Sequence, residues 1–474
     1  MTDASLVGKA GTGAVLSLDA KGLQDTFLTS SNVQQSFFNF ENVRHTPFTK
    51  FESAHKVVRP PHFDGTNWPF DTGSSIKFTL DPQTMGDCLS NMYLKVTLPK
   101  LIEVVDTSNT GSSNVMNVYC DFTGRAIINS VSLNLEGTEL EKLTNDWMII
   151  HDQMYNSEEE KKALFRLLNG SQNGGWSHEN KKTYHMYNNV NQSGPINLYI
   201  PLPFFFSRHH SGADTDNDWQ AKKFFKPYFP LCGILKQTLT VDIQFNPVTF
   251  FSNTIEQCSL TDITLVTEEI TLSPQERTFI QSNRQQLMYE KLFINPKYET
   301  GPSPPVSFTT QLVPNIPIKT FYWFYRNIDY ESVSDANQFK NRYNFSTLIN
   351  TDQPDPQTET VNQVTKEIKF YFNIGSQNDF LAYSNYYRFA VPSSTGLTPP
   401  MGNIYTYSFV TNPKEPRPVG SLNFDIMNSG GKSLMETYTT TAAQSNNYSV
   451  NVFFTGYQVF QCENGYGEWV YSGG

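Results

Sequence analysis

The sequence predicts an all-β chain, two antiparallel sandwiches in tandem joined by a short helix. Three observations predict it. Aromatic residues make up 14% of the 474 positions, with 36 Phe and 24 Tyr, while charged residues make up only 17%. About 25% charged is usual, and bulky rings among Thr, Val and Ser suit pleated, half-buried surfaces better than helices. Several segments alternate apolar and polar residues with a period of two, the mark of a strand with one wet face. The 28 Gly and 27 Pro run along the whole length, as many turns require.

The elements follow in order. Residues 1–22 are small and Gly/Ala-rich without amphipathic period, and read as an arm that orders only when held. Ser75–Leu80 alternates, and Met92–Leu98 places Met92, Leu94, Val96 and Leu98 on one face. Gln237–Phe245 places Leu239, Val241, Ile243 and Phe245 opposite Thr238, Thr240, Asp242 and Gln244. Glu367–Ile374 groups Ile368, Phe370, Phe372 and Ile374, and Ser449–Phe454 and Tyr457–Phe460 read as two further strands. Asp81-Pro82, Glu136-Gly137 and Asn464-Gly465 read as turns.

Two helices carry start signals. Ser157 with Glu160 forms a capping box ahead of an apolar stripe at Ala163, Leu164, Leu167 and Leu168, and Gly170 stops it. Ser273-Pro274-Gln275-Glu276 is a second box, with Pro where its missing N–H costs nothing, and predicts a helix to about Asn283. That helix interrupts the β pattern near mid-chain. The organisation is then an arm over 1–22, a β domain over 23–272, a connector over 273–284 and a second β domain over 285–474, with Asn295–Pro305 as loop.

Acids outnumber bases 45 to 35, for a net charge of −10, so a direct nucleic-acid surface is not expected. No run approaches the roughly 18 apolar residues of a membrane-spanning helix. Met1–Ala10 lacks the basic flank and apolar block of a secretory signal, which predicts a cytosol-like compartment. The five cysteines (Cys88, Cys120, Cys232, Cys258 and Cys462) are odd in number and lack CxxC spacing, and read as buried reduced thiols.

Each candidate for chemistry fails a requirement. Gly430-Gly431-Lys432-Ser433 resembles the end of a phosphate loop, but Ile426 stands where the first glycine belongs. Asp214, Asp216 and Asp218 have calcium-loop spacing, but Trp219 and Phe225 occupy the turn glycine and bidentate glutamate positions. His178-Glu179 begins a zincin pattern that Lys182 breaks, and His209-His210 reads as exposed loop. All eight histidines lie at or before His210, so the second β domain has no histidine base. Glu136 and Glu139 are available as a glycosidase-type carboxylate pair, a pairing that strand order alone does not settle. Sequons stand at Asn169, Asn191, Asn344 and Asn447. No catalytic residue, metal or cofactor is expected.

Four ordered stretches carry a resemblance. They are Gly22–Thr29 with Arg44-His45-Thr46-Pro47-Phe48; Gly86-Asp87-Cys88-Leu89 through Tyr93–Pro99; Asn197–Arg208 (NLYIPLPFFFSR); and Tyr407-Ser408-Phe409 with Asn412–Pro416 and Gly420–Phe424. Together they resemble the double jelly-roll major capsid proteins of nucleocytoplasmic large DNA viruses. The helix beginning near Glu276-Arg277 falls where that family has its inter-domain connector, and His209–Lys226 is longer than the family's usual connection. The resemblance implies a non-enzymatic double jelly roll that forms homotrimeric, pseudo-hexameric capsomers tiling an icosahedral shell. It implies neighbouring capsomers and minor capsid proteins as partners, an internal membrane nearby but not entered, and assembly in the host cytoplasm. Two other readings share the fold: a scaffold or minor capsid protein, and a carbohydrate-active or lectin-like jelly roll.

Overall fold

In the computed structural model the described residues are 47–57, 68–69, 75–98, 104–105, 114–115, 120, 122–169, 196–208, 228–252, 259–302, 304–328, 343, 345, 364–372, 379–415, 418, 420–424, 432–440 and 447–470. They form four main antiparallel sheets, paired as two sandwiches, so the fold is a double jelly roll with a short helical connector. The arm over 1–22, the stretch Gly22–Thr29 and the proposed stop at Gly170 lie outside the described residues.

Both sandwiches are wound the same way. In the first, Phe48–Lys56 pairs with Ser259–Leu272, which pairs with Cys88–Leu98, which in turn pairs with Ile196–Pro201 and Phe229–Pro230. The facing sheet runs Ser75–Leu80, Leu239–Phe245, Ile128–Leu135, Thr138–Thr144. In the second, Gln285–Ile294 pairs with Tyr448–Glu463, then Pro317–Asn327, then Tyr405–Ser408. Its facing sheet runs Ser307–Leu312, Ser433–Thr439, Thr365–Tyr371, Asp379–Tyr383. The first strand of each sandwich lies beside a strand from its far end, Ser259–Leu272 in the first and Tyr448–Glu463 in the second, the Greek-key return of a jelly roll.

The strands form where alternation meets a single wet face. Ile76, Phe78 and Leu80 are buried while Ser75, Lys77 and Thr79 are exposed. Leu239, Val241, Ile243 and Phe245 turn into the same core. Two hairpins close on paired left-handed residues, Glu136 (φ 49°) with Gly137 (φ 83°) and Asn464 (φ 56°) with Gly465 (φ 87°). This two-residue geometry matches the twist of the flanking strands.

The first capping box closes in both directions, and the second forms its N-cap bond. The Ser157 N–H donates to Glu160 Oε2 at 2.7 Å and the Glu160 N–H to Ser157 Oγ at 3.3 Å, starting helix Glu158–Asn169. The Glu276 N–H donates to Ser273 Oγ at 3.3 Å, starting the connector helix Pro274–Ser282, which Asn283 caps.

Three expectations are corrected. Ser449–Phe454 and Tyr457–Phe460 are one strand, Tyr448–Glu463, uninterrupted at Gly456. A Cβ at Gly456 would lie 2.4 Å from the Pro317 carbonyl oxygen, so glycine here permits close approach of the neighbouring strand rather than a turn. The strand expected over 367–374 spans Thr365–Tyr371, and Ile374 lies outside the described residues. A further helix, Asn145–Met154, follows an N-cap at Thr144, whose Oγ1 accepts the Trp147 N–H at 3.3 Å. Nine of its ten residues are buried, four of them polar, so no contrast between a wet and an apolar face announces it.

Candidate functional site: the seam between the sandwiches

The second sandwich's Gln285–Ile294 sheet is covered on both sides. Phe321, Trp323, Tyr325, Val450, Val452 and Phe454 face its own partner sheet. Tyr289, Leu292, Tyr322, Phe324, Phe453 and Phe460 instead join the first sandwich's core. Helix Asn145–Met154 supplies the central piece of that cover. Its Trp147 ring packs 5.4 Å from Tyr322 and 6.0 Å from Phe453. From the Leu202–Arg208 stretch, Phe205 sits 4.8 Å from Tyr289 and 5.3 Å from Trp469.

A buried polar network threads this apolar seam. Glu141, on strand Thr138–Thr144, takes the Arg208 guanidinium on Oε1. It also accepts the Phe205 N–H at 2.8 Å and, from across the seam, the Leu292 N–H at 3.0 Å. Arg208 donates in turn to the Pro203 carbonyl at 2.9 Å and the Glu290 carbonyl at 3.2 Å. Burial pushes the Arg208 guanidinium down to about 10, which still leaves it charged at neutral pH.

A second pair lies beside the first. Lys319 Nζ donates to Glu290 Oε2 at 2.7 Å and to the Glu415 carbonyl at 2.6 Å. Tyr155 and Tyr322 share a hydroxyl hydrogen bond of 2.8 Å. Burial first, and then the Glu290 charge, hold both phenols well above the usual tyrosine range, so they act as neutral hydrogen-bonding groups. Asp146 and Arg326 close the seam nearer helix Asn145–Met154 through a two-pronged ion pair. Within the first sandwich, Arg125 Nε and Nη2 grip Asp152 at 2.7 and 2.8 Å. Burial, the largest single effect, opposes ionisation of Asp152, but the Arg125 charge, the Arg125 hydrogen bonds and the neighbouring His151 together outweigh it and the carboxyl stays below its usual range.

Among the described residues, each of these seam charges is paired with an opposite one. Buried charges so matched act as a specific joint rather than as acid–base machinery. The sequence readings missed these residues. Their signal was available: single charges inside apolar runs, as in PIKTFYWF around Lys319 and PLPFFFSR before Arg208. A charge that such a run carries into a core must find a partner there.

The residues considered from sequence do not converge. Glu136 accepts the Thr238 N–H at 2.6 Å on its hairpin, and Glu139 accepts the Ser132 hydroxyl at 3.3 Å on an exposed sheet face. Lys432 precedes a strand, not a helix, and Ser433 is buried at that strand's start. Asn447 accepts the Thr300 hydroxyl at 3.4 Å, and Asn169 ends its helix. Cys88, Cys120, Cys232 and Cys462 are buried free thiols. Among the described residues no group of three or more His, Cys, Asp or Glu is placed to hold a metal, and no helix is long and apolar enough to cross a membrane. Asp214, Asp216, Asp218, Trp219, Phe225, His178, Glu179, Lys182, His209, His210, Gly430, Gly431, Asn191, Asn344 and Cys258 lie outside the described residues.

The structure is thus a double jelly roll whose two sandwiches meet in a buried joint of paired charges and aromatic rings. Comparison with known proteins supplies the family. A profile described as major capsid protein N-terminus matches residues 54–214, and one described as large eukaryotic DNA virus major capsid protein matches residues 276–468. The major capsid protein of Pyramimonas orientalis virus is 22% identical over 97% of this chain and 99% of its own length. Capsid protein 1 of Acanthamoeba polyphaga mimivirus is 24% identical over 66% of this chain, and the match spans only 48% of that longer relative. Among solved structures, the PBCV-1 virus capsid aligns with a TM-score of 0.67 at 16% identity, covering 92% of this chain and all of that one. The Faustovirus major capsid protein aligns at 0.58 and 12% identity, covering 93% and 94%.

The chain belongs to the family of major capsid proteins of large eukaryotic DNA viruses. That family is structural and non-enzymatic, and its place is the virion capsid, in assembly with other capsid subunits.

Proposed function

We propose that three copies of this 53.9 kDa chain form a pseudo-hexameric capsomer that tiles an icosahedral shell. The observation that carries this reading is the internal repetition: two sandwiches of identical strand order, locked side by side in one chain. One chain then offers two similar building units, over 23–272 and 285–474 with the connector 273–284 between them, and three chains offer six. Obligate interfaces of this kind bury on the order of 2,000 Å² or more. Neighbouring capsomers and minor capsid proteins are the expected contacts, above an internal membrane that the chain does not enter, after assembly in the host cytoplasm. The arm over 1–22 is proposed to order on a neighbour.

Size-exclusion chromatography with light scattering on the purified chain tests the three-fold state. A mass of three chains is expected, and a stable monomer or dimer at micromolar concentration overturns the proposal. Abundance in purified particles separates a shell subunit, which dominates the protein mass, from a scaffold, which is scarce.

A further inference from the structure

Three cysteines from distant stretches meet where the first sandwich touches the second. Cys88 opens strand Cys88–Leu98, and its backbone partner across the sheet is Pro230. Two residues on, the Cys232 N–H donates to the Asp87 carbonyl at 2.9 Å, so the turn Leu231–Gly233 is fastened one strand spacing from Cys88. The thiols of Cys88 and Cys232 are close enough that each shifts the other's ionisation, Cys88 upward and Cys232 downward. Cys462, on strand Tyr448–Glu463, lies against the other side of the same turn: a Cβ added at Gly233 would sit 3.3 Å from its sulfur. Cys120, by contrast, is buried near Phe251, whose carbonyl accepts its N–H at 2.8 Å.

We propose that Cys88 and Cys232 are an oxidisable pair, which a small-molecule disulfide converts into an intrachain cross-link between strand Cys88–Leu98 and the Leu231–Gly233 turn, leaving Cys462 as a free thiol. The inference does not depend on the trimer. It rests on the backbone hydrogen bonds that fasten Cys232, in the turn after strand Phe229–Pro230, beside the start of strand Cys88–Leu98, since a disulfide needs its two Cα atoms within about 7 Å.

The chemistry is two successive exchanges. The Cys232 thiolate attacks one sulfur of the small disulfide, forming a mixed disulfide and expelling one thiolate. The Cys88 thiolate then attacks the Cys232 sulfur, forming the protein disulfide and expelling the second thiolate. The two protons leaving the protein thiols end on the two released thiols, and the small disulfide is reduced as the protein pair is oxidised. Cys232 is the first nucleophile. The neighbouring Cys88 thiol leads the effects that hold the Cys232 thiol below the usual range, with Arg277 and a backbone N–H assisting. Burial pushes Cys462 up to about 12, which keeps it protonated and slow to compete.

The turn is buried, so exchange has two windows: during folding, or on local opening of the folded chain. The test treats full-length protein with oxidised glutathione, once native and once while refolding from urea. Remaining thiols are alkylated under denaturing conditions, and peptides are mapped by mass spectrometry without reduction. The expected result is a peptide containing Cys88 joined to one containing Cys232, with Cys462 alkylated. Cys232→Ser is expected to abolish the joined peptide, and Cys462→Ser to leave it unchanged. Complete alkylation of both Cys88 and Cys232 in both wild-type arms, or a joined peptide containing Cys462, overturns the proposal. The wild-type map decides the question even if a variant fails to fold.

Discussion

The two sandwiches share one winding but differ in what lies outside their first-strand sheets. In the first sandwich that surface is polar. Lys50 pairs with Glu268 at 2.6 Å, Asn91 donates to Glu268 at 3.0 Å, and Lys95 pairs with Asp262 at 2.6 Å. In the second sandwich the equivalent surface is aromatic, with Tyr289, Tyr322, Phe324, Phe453 and Phe460 all buried under the first sandwich. One topology therefore supports either a solvated face or a joint, and side-chain chemistry alone decides which. The strands' hydrogen bonds are indifferent to that choice, because the ladder is made by backbone groups whichever way the side chains point.

The largest expected effect comes from breaking the joint. Glu141→Gln removes the charge facing Arg208, which burial has already cut off from water. Leaving one member of a buried pair alone costs about 3–5 kcal/mol. Chemical denaturation should show that loss as a lower midpoint. The paired change Glu141→Leu with Arg208→Met should recover only part of it, since it removes the unpaired charge but leaves the Phe205 and Leu292 N–H groups without their acceptor. If Glu141→Gln is neutral, the seam is not the joint that sets the second sandwich apart.

This joint also marks where sequence reading succeeds and fails. Ser75–Leu80 and Leu239–Phe245 were legible because one face is wet, so alternation survives in the residues. Tyr448–Glu463 was read as two strands because the seam buries it on both faces and erases the alternation. Helix Asn145–Met154 was missed for a related reason: it is buried nearly all round, polar Asn145, His151, Asp152 and Gln153 included, so no apolar stripe stands against a wet face. The capping boxes were legible because their partners lie three residues apart. Glu141 meets the Leu292 N–H across 151 positions, and no local spacing encodes such a pair. The family resemblance reached the fold without reaching these residues, because it rests on strand motifs.

A second test strikes the sheet that is covered on both sides. Gly456→Ala drives a Cβ to 2.4 Å from the Pro317 carbonyl and 2.8 Å from Ile316 Cδ1. The sheet already shifts register between Ile318 and Thr320, opposite this point. Accommodating the methyl group requires backbone movement, a loss of about 1–3 kcal/mol. Alanine at Gly137, where no atom lies within 4 Å, meets no such clash and is limited to the strain of its left-handed turn position. The comparison is sharpened if Gly456→Ala costs more than Gly137→Ala in the same denaturation assay.

The first sandwich has its own titratable anchor. Burial alone would raise the Glu269 carboxyl, but His55, 3.8 Å away, with hydrogen bonds from the Gly86 N–H and the Thr267 hydroxyl, overcomes it and brings it to about 2, against an ordinary 4.5. The folded value is the lower one, so the stabilisation is fully present above pH 4.5 and fades as pH falls toward 2. Glu269→Gln should remove that component of acid sensitivity, measured as a smaller drop in thermal midpoint between pH 5 and pH 3 (both set by the experimenter, within about the range over which carboxylates titrate). An unchanged acid profile in the variant would mean that the Glu269 anchor does not discriminate the first sandwich from the second.

The smallest effect belongs to the solvated face itself. Lys50 is half exposed, and its partner Glu268 also accepts from Asn91. The Glu268 hydrogen bond, opposed in part by desolvation, raises the Lys50 amine above its usual value, yet water and salt screen most of what that pairing contributes. Lys50→Ala should therefore cost less than about 1 kcal/mol, and less still at high salt. That expectation holds for the isolated chain, where the face meets solvent. In the assembled capsomer the same substitution separates two cases: a face that stays wet keeps the small, salt-sensitive cost, whereas a face covered by a neighbouring copy desolvates the pair and shows a larger cost that salt barely changes. Measuring the thermal midpoint of Lys50→Ala at low and high salt, as isolated chain and as assembled particle, decides whether the contrast between the sandwiches survives assembly or belongs only to the single chain.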